Sequence, residues 1–321
     1  MEMFQQFDYG LPACWKNSDL VVYLVDFLRK TGMLIDILDS VPLPKDPTNP
    51  SSIYNLPPSA AKFKIRDIDL LRVGFAPASN EDIVIPPAEV TNFPKHYVLP
   101  NINGEILARA KFDVHKFGCI SDPKVQTFFD KLHDVVFNGL GVVGTDETFT
   151  DTLVDDLLRI VELNDWPLKI RNHPPCRLYI EDEPCVSSIP EFVIKNKGSI
   201  FVGVEDKHLK NVRPSTDYGE SQIAVEVLAC GNEDIRSVDR QDWKDQTIYV
   251  VRVISRYVTF YKAVIPASYW EELLFGLPKQ QSIVIKRWPG ANGLRTGFDL
   301  AEPDGRQKVL TALIKIRQYL I

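Results

Sequence analysis

PEFVIKNKGSIFVGVEDK, Pro190 to Lys207, reads as a tight hairpin. A short strand (Phe192–Lys195) meets a turn on Asn196-Lys197-Gly198, and a second strand runs over Ile200–Asp206. Strand side chains alternate, so Glu205 and Lys207 project to one face and Val204 and Asp206 to the other. Glu191 stands at the mouth of the partner strand. Two carboxylates and one ammonium are therefore expected to converge at one end of an apolar hairpin. Hard cations such as Mg²⁺ take oxygen ligands, often one or two carboxylates plus substrate phosphates. A nearby Lys can steady a water or a developing phosphoryl charge.

The pattern Pro-acid, followed on the next strand by acid-x-Lys, resembles the signature of the PD-(D/E)xK nuclease superfamily, with Glu191 where an Asp is usual. VGVEDK followed by SQIAVEVL, with Gln222 and Glu226 one helical turn apart, is similar to the nuclease-like domain of Crinkler-type proteins of fungi and oomycetes. The resemblance covers Thr148 to Asn232. It implies an α/β fold of the restriction-endonuclease-like kind, a mixed β-sheet flanked by helices. It also implies phosphodiester hydrolysis of nucleic acid, DNA or RNA, with Mg²⁺ or Mn²⁺ held by Glu191 and Glu205. Lys207 would position the water or stabilise transition-state charge, and Gln222 would orient the site. Glu147 or Asp151 would add an acid from the preceding helix.

Each residue also has a plainer reading. Strand ends are commonly polar, a Gln/Glu pair at i, i+4 can be a solvated helix face, and first-turn acids complement a helix dipole. A non-catalytic, effector-like interaction module that keeps the nuclease fold is the alternative function.

A hydrophobic fraction of 45% and a charged fraction of 25% belong to a globular chain, and 321 residues suffice for one large domain or two ordinary ones. No apolar run reaches membrane-span length, and the acidic N-terminus MEMFQQFDYG lacks the form of a signal peptide. The expectation is an intracellular protein of cytoplasm or nucleus. Five scattered cysteines without a C-x-x-C pair argue against a disulfide framework or a zinc site. The net charge is −6, yet residues 279–321 carry 8 Lys+Arg against 3 Asp+Glu. Phosphate contacts need cations, so Lys286, Arg287 and Arg295 are the expected nucleic-acid contacts, with Lys210 beside the hairpin.

Residues 18–39 carry apolar residues at helical spacing, and Pro42–Pro58, with six prolines, reads as a linker. Apolar clusters between Lys64 and Val98 suggest short strands. Helices are expected over Asp122–Leu140, Thr148–Leu163 (Phe149 in its apolar stripe), Gly219–Cys230, Tyr269–Phe275 and 305–320, the last with Arg306 flanking the stripe. Strands are expected over Leu168–Ile180, Thr247–Ile265 with a bend at Ser255-Arg256, and Ser282–Trp288. EDEP (181–184) reads as a turn. The division expected is a helical and short-strand region over 1–140 and the nuclease-like domain, with its basic C-terminal segment, over 141–321.

Overall fold

The computed structural model describes residues 55–117, 120–140, 147–196, 199–207 and 214–321, with side chains for all of these except 199–207 and 215. The helix expected over 18–39 and most of the proline-rich stretch lie outside the described residues. Ser59–Ile321 forms one compact unit, and the boundary expected near residue 141 falls inside it.

The sequence TIYVVRVI-SR-YVTFYKAVI makes the central hairpin. Its β-branched and aromatic residues form β7 (Gln246–Ile254) and β8 (Tyr257–Ile265), and Ser255 takes the left-handed conformation (φ 58°) at the turn. Around this pair the sheet runs β1-β9-β8-β7-β6-β5-β2, with β10 (Phe298–Asp299) also paired to β8. Its other strands are β1 (Val73–Pro77), β2 (Leu168–Asn172), β5 (Phe192–Asn196), β6 (Ser199–Lys207) and β9 (Ile283–Trp288). β1 runs parallel to β9 and β6 parallel to β7; the remaining pairs are antiparallel. Between β2 and β5 the chain leaves this sheet to make a separate hairpin, β3 (Cys176–Ile180) and β4 (Glu183–Ser188). Glu181 and Asp182, both left-handed, form its turn, and the Asp182 carboxylate accepts from Arg236 and Arg240.

Of the stretch expected to hold short strands, Ile65–Leu70 is instead a helix, α1, begun by the Asp67 carboxylate accepting from the Lys64 N–H at 3.0 Å. Only Val73–Pro77 there is a strand, and Glu81–Ile83 is a single 3-10 turn. Prolines remove donors that a longer ladder would need. The remaining helices are α2 (Gly104–Leu107), α3 (Pro123–Leu140), α4 (Thr148–Ile160), α5 (Glu220–Ile235), α6 (Ala267–Leu273) and α7 (Pro303–Leu320). Among the described residues, no helix is long and apolar enough to cross a membrane.

The two faces of the sheet are covered differently. Tyr249, Val251, Val253, Val258, Phe260, Phe192 and Ile194 share one core with the apolar sides of α3, α4 and α7. On the opposite parity, α5 packs over Ile248 and Tyr261, and the β3–β4 hairpin closes over the outer side of α5. That double cover explains why α5 is buried almost all round and runs five residues beyond the Cys230 limit expected for it. Phe149, expected in the apolar stripe of α4, is 39% exposed, while Leu153, Val154, Leu157 and Leu158 carry the packing.

Arg306 corrects another expectation. It is wholly buried, stacks on Phe129 with its Cζ 5.1 Å from the ring centre, and donates to the carbonyls of Val98, Leu99, Ile102, Leu300 and Ala301. Its five donors meet a cage of backbone acceptors, which holds the loop around 98–102 to the start of α7.

Candidate metal and nucleic-acid site

Strand register fixes the first relationship. β5 and β6 pair Phe192 with Val204, so one step further along the ladder position 191 comes level with position 205. On its other side β6 pairs Glu205 with Arg252 of β7, and β7 pairs Arg252 with Thr259 of β8. Positions directly opposite in a ladder lie on the same face. One row therefore crosses four strands (191, 205, 252, 259) on the face covered by α5. The side chains of Glu205 and Lys207 lie outside the described residues, as does Lys210.

Glu191 is half-buried at the entrance to β5. Its carboxylate Oε2 meets His173 Nδ1 at 2.9 Å, and its carbonyl accepts from the His173 N–H at 2.9 Å. His173 follows β2 directly and is left-handed (φ 48°), which turns its ring back toward Glu191. On α5, Gln222 Nε2 donates to Glu226 Oε1 at 2.8 Å. Glu226 is only 4% exposed, so this pair is not the solvated helix face that its spacing alone would suggest. Glu147 sits at the start of α4, its carbonyl accepting from the N–H groups of Thr150 and Asp151. Its helix packs on the face opposite the 191–205 row.

The expected basic patch is divided. Arg287 is 8% exposed, its Nη1 ion-paired with Glu220 Oε1 and its Nε donating to the Gly290 carbonyl at 2.9 Å. Lys286, next along β9, points to the other face beside Lys262 in the β8–β9 register. Arg295 is exposed and lines a small cavity with Leu140, Ser255, Arg256 and Tyr257.

What sequence reading missed is a buried polar cluster at the N-terminus of α5. Glu220 is fully buried; Arg287 and the Tyr261 hydroxyl both donate to its Oε1. Desolvation raises the Glu220 carboxyl above its usual value, against the opposing pull of Arg287. Burial likewise pushes the Tyr261 hydroxyl up, so it stays a donor. Arg252, 1% exposed, donates through Nη1 to the Tyr218 carbonyl at 2.8 Å and to Asn292 Oδ1 at 2.9 Å. The one sequence signal was an arginine interrupting the β-branched run of β7.

A hard cation needs oxygen donors, and the Glu191 carboxylate together with position 205 offers that donor type. Among the described residues, no group of three His, Cys, Asp or Glu side chains is placed to hold a metal, so such a site would draw on side chains outside the described residues, such as Glu205, or on substrate oxygens. Neither a known protein family nor a curated protein matches the chain.

Proposed function

We propose that the protein hydrolyses phosphodiester bonds of nucleic acid, DNA or RNA, with Glu191 and Glu205 as ligands of Mg²⁺ or Mn²⁺ and Lys207 beside them. The observation that carries this reading is the Phe192–Val204 pairing, which makes Glu191, just before β5, and Glu205 the next positions along the register. The order α4, antiparallel β2, β5 and β6, crossover helix α5, then β7 parallel to β6 is the order expected of a nuclease-type core and supports the reading further. Burial of Glu226 against Gln222 on the helix following the acid-bearing strand agrees with a site-orienting role for that pair.

When bound, a divalent cation supplies polarisation of the phosphate and a lowered pKa for its water. The chain's own contributions are separate. Glu191 and Glu205 bind and orient, and Lys207 stabilises charge on the phosphoryl oxygens. His173 competes for one Glu191 oxygen and has to yield it when that oxygen is needed. The same bond is what favours a second reading, a non-catalytic module in which His173 permanently occupies the acid.

Calorimetric titration with Mn²⁺, run beside cleavage of single- and double-stranded DNA and RNA, separates the two. Glu205→Gln and Glu191→Gln should each weaken metal binding. Lys207→Ala should keep the metal and lose roughly 10²-fold in rate, the scale of one lost transition-state donor. Glu191→Asp restores the superfamily's usual acid and should preserve or improve cleavage. A wild-type protein that binds no metal and cuts none of the four substrates would leave only the interaction reading.

A further inference from the structure

Next to the 191–205 pair in the same row stands Arg252, a buried guanidinium only half used. Nη1 is satisfied by Tyr218 and Asn292, while Nε and Nη2 have no hydrogen-bond partner among the described residues. Among the described residues, no carboxylate lies within ion-pair distance of it. Buried donors of a cation are rarely left unmatched, because the desolvation cost is then uncompensated.

Its neighbours are unmatched too. Thr259 Oγ1, on the residue directly across the β7–β8 ladder, is buried without a partner. So are Ser221 Oγ and Glu220 Oε2, in the first turn of α5. Arg252 reaches that turn through its bond to the Tyr218 carbonyl, two residues before the helix. The N-cap is Gly219, left-handed at φ 90°, which has no side chain to accept the first N–H groups. A helix N-terminus carries partial positive charge and free N–H donors. Of the nearby acids whose side chains are described, Glu220 is ion-paired with Arg287, and Asp217 is half-buried and accepts from Asn292 at 3.1 Å; Glu205, next to Arg252 in the row, has no described side chain.

We propose that this cluster is a phosphate subsite, built by Arg252, Ser221, Thr259 and the N-terminus of α5, that receives the terminal phosphate of a nucleic-acid strand. The guanidinium edge formed by Nε and Nη2 suits two oxygens of one phosphate, the bidentate geometry that distinguishes Arg from Lys. Both hydroxyls can donate to the oxygens left over. Among the described side chains of the cluster, Glu220 Oε2 is the one unmatched acceptor, and a phosphate monoester, unlike an internal diester, can carry a P–OH to donate to it. The donor surplus selects an anion; the lone acceptor selects a terminal group. The inference rests on the nuclease reading only for the identity of the strand, since the donors belong to Arg252, Ser221, Thr259 and α5.

The test begins with the unmutated protein, without metal, titrated with inorganic phosphate at constant ionic strength and followed by calorimetry and thermal unfolding. Saturable binding with a raised midpoint is expected. Arg252→Gln should weaken it at least about tenfold, and Arg252→Lys should recover only part, because the charge returns without the fork. A 5′- or 3′-phosphorylated oligonucleotide should compete with phosphate, and its hydroxyl-ended counterpart should not. No saturable binding to wild type, which would leave water as the only occupant of the cluster, overturns the subsite without any appeal to a variant's folding. Equal phosphate affinity in folded Arg252→Gln also overturns it. Phosphate binding that neither oligonucleotide displaces overturns the assignment to a strand. The Mn²⁺ titration reads the carboxylate pair separately, so a protein that takes phosphate and no metal loses the nuclease reading and keeps the subsite.

Discussion

Cys176 on β3 and Cys230 on α5 bring their sulfurs to 3.7 Å, with the Cys230 thiol donating to Cys176. That hydrogen bond holds the Cys176 thiol below its ordinary value and, together with burial, pushes Cys230 well up. The lower partner is the better nucleophile because the thiolate is the reactive form. Treatment with diamide or hydrogen peroxide should therefore close a Cys176–Cys230 disulfide, each pair losing two hydrogens to the oxidant. Peptide mapping by mass spectrometry checks it. Cross-linking through Cys185 instead, or none within the chain, would contradict the geometry.

Glu220 makes stability depend on pH in a definite direction. Its folded value is raised above the ordinary 4.5, chiefly by desolvation. The native state therefore keeps a proton that the unfolded chain has already released, and stability falls as pH rises through a window opening near that ordinary value. Glu220→Gln has no such proton. The wild-type-minus-variant difference in urea unfolding energy should shrink from mildly acid pH toward the folded value. A difference that stays flat would mean that the Arg287 pairing cancels the burial cost.

Arg306 should be among the most sensitive positions for stability. Burial lowers its guanidinium to about 10, which leaves it charged at neutral pH with every donor engaged. Arg306→Met takes a donor from five backbone carbonyls, of which Leu99 keeps the Ile102 N–H, and should cost at least ~3 kcal/mol, given ~1–3 kcal/mol for each buried group left unpaired. Arg306→Lys keeps the charge but cannot span the cage, so it should recover little. Equilibrium urea unfolding measures both.

Two glycines give a paired test of packing. A Cβ at Gly305, inside α7, would drive into the Asp299 carbonyl, whereas a Cβ at Gly74 on β1 meets nothing within 4 Å. Gly305→Ala should lower stability by roughly 1–3 kcal/mol or more, the usual cost of overpacking. Gly74→Ala should be neutral or slightly stabilising, because alanine narrows the unfolded ensemble. Thermal unfolding of the two variants decides it.

The elements that were legible in sequence are those set by local pattern. Period-two alternation marks out β5 and β6, and the 3.6-residue stripes mark out α3 and α4; Lys197 and Gly198 of the expected turn lie outside the described residues. The pairing of β1 with β9, more than two hundred residues apart, has no local signature. Charged residues were the main source of error. A helical wheel assigns Arg306 to the flank of α7, and a charge count assigns Arg287 to a basic tail, because neither method sees a partner arriving from elsewhere. Arg306 is buried by a loop some two hundred positions earlier, and Arg287 by Glu220 of α5. The same blindness hid Arg252, whose significance appears only when β6, β7 and β8 are aligned.

Being enclosed between the sheet and the β3–β4 hairpin gives α5 a distinctive place in the opening of the molecule. The hairpin is fastened to it by the Tyr179 N–H on Asn232 Oδ1 and the Arg177 N–H on Glu233 Oε1. Amide hydrogens inside such a helix reach solvent only if the hairpin lifts or the sheet parts, so they should exchange at rates governed by the largest openings of the unit. The crossover between the two parallel strands thus behaves as a keystone: Gln222, Glu226 and the first turn that meets Arg252 stay in place until the unit as a whole gives way.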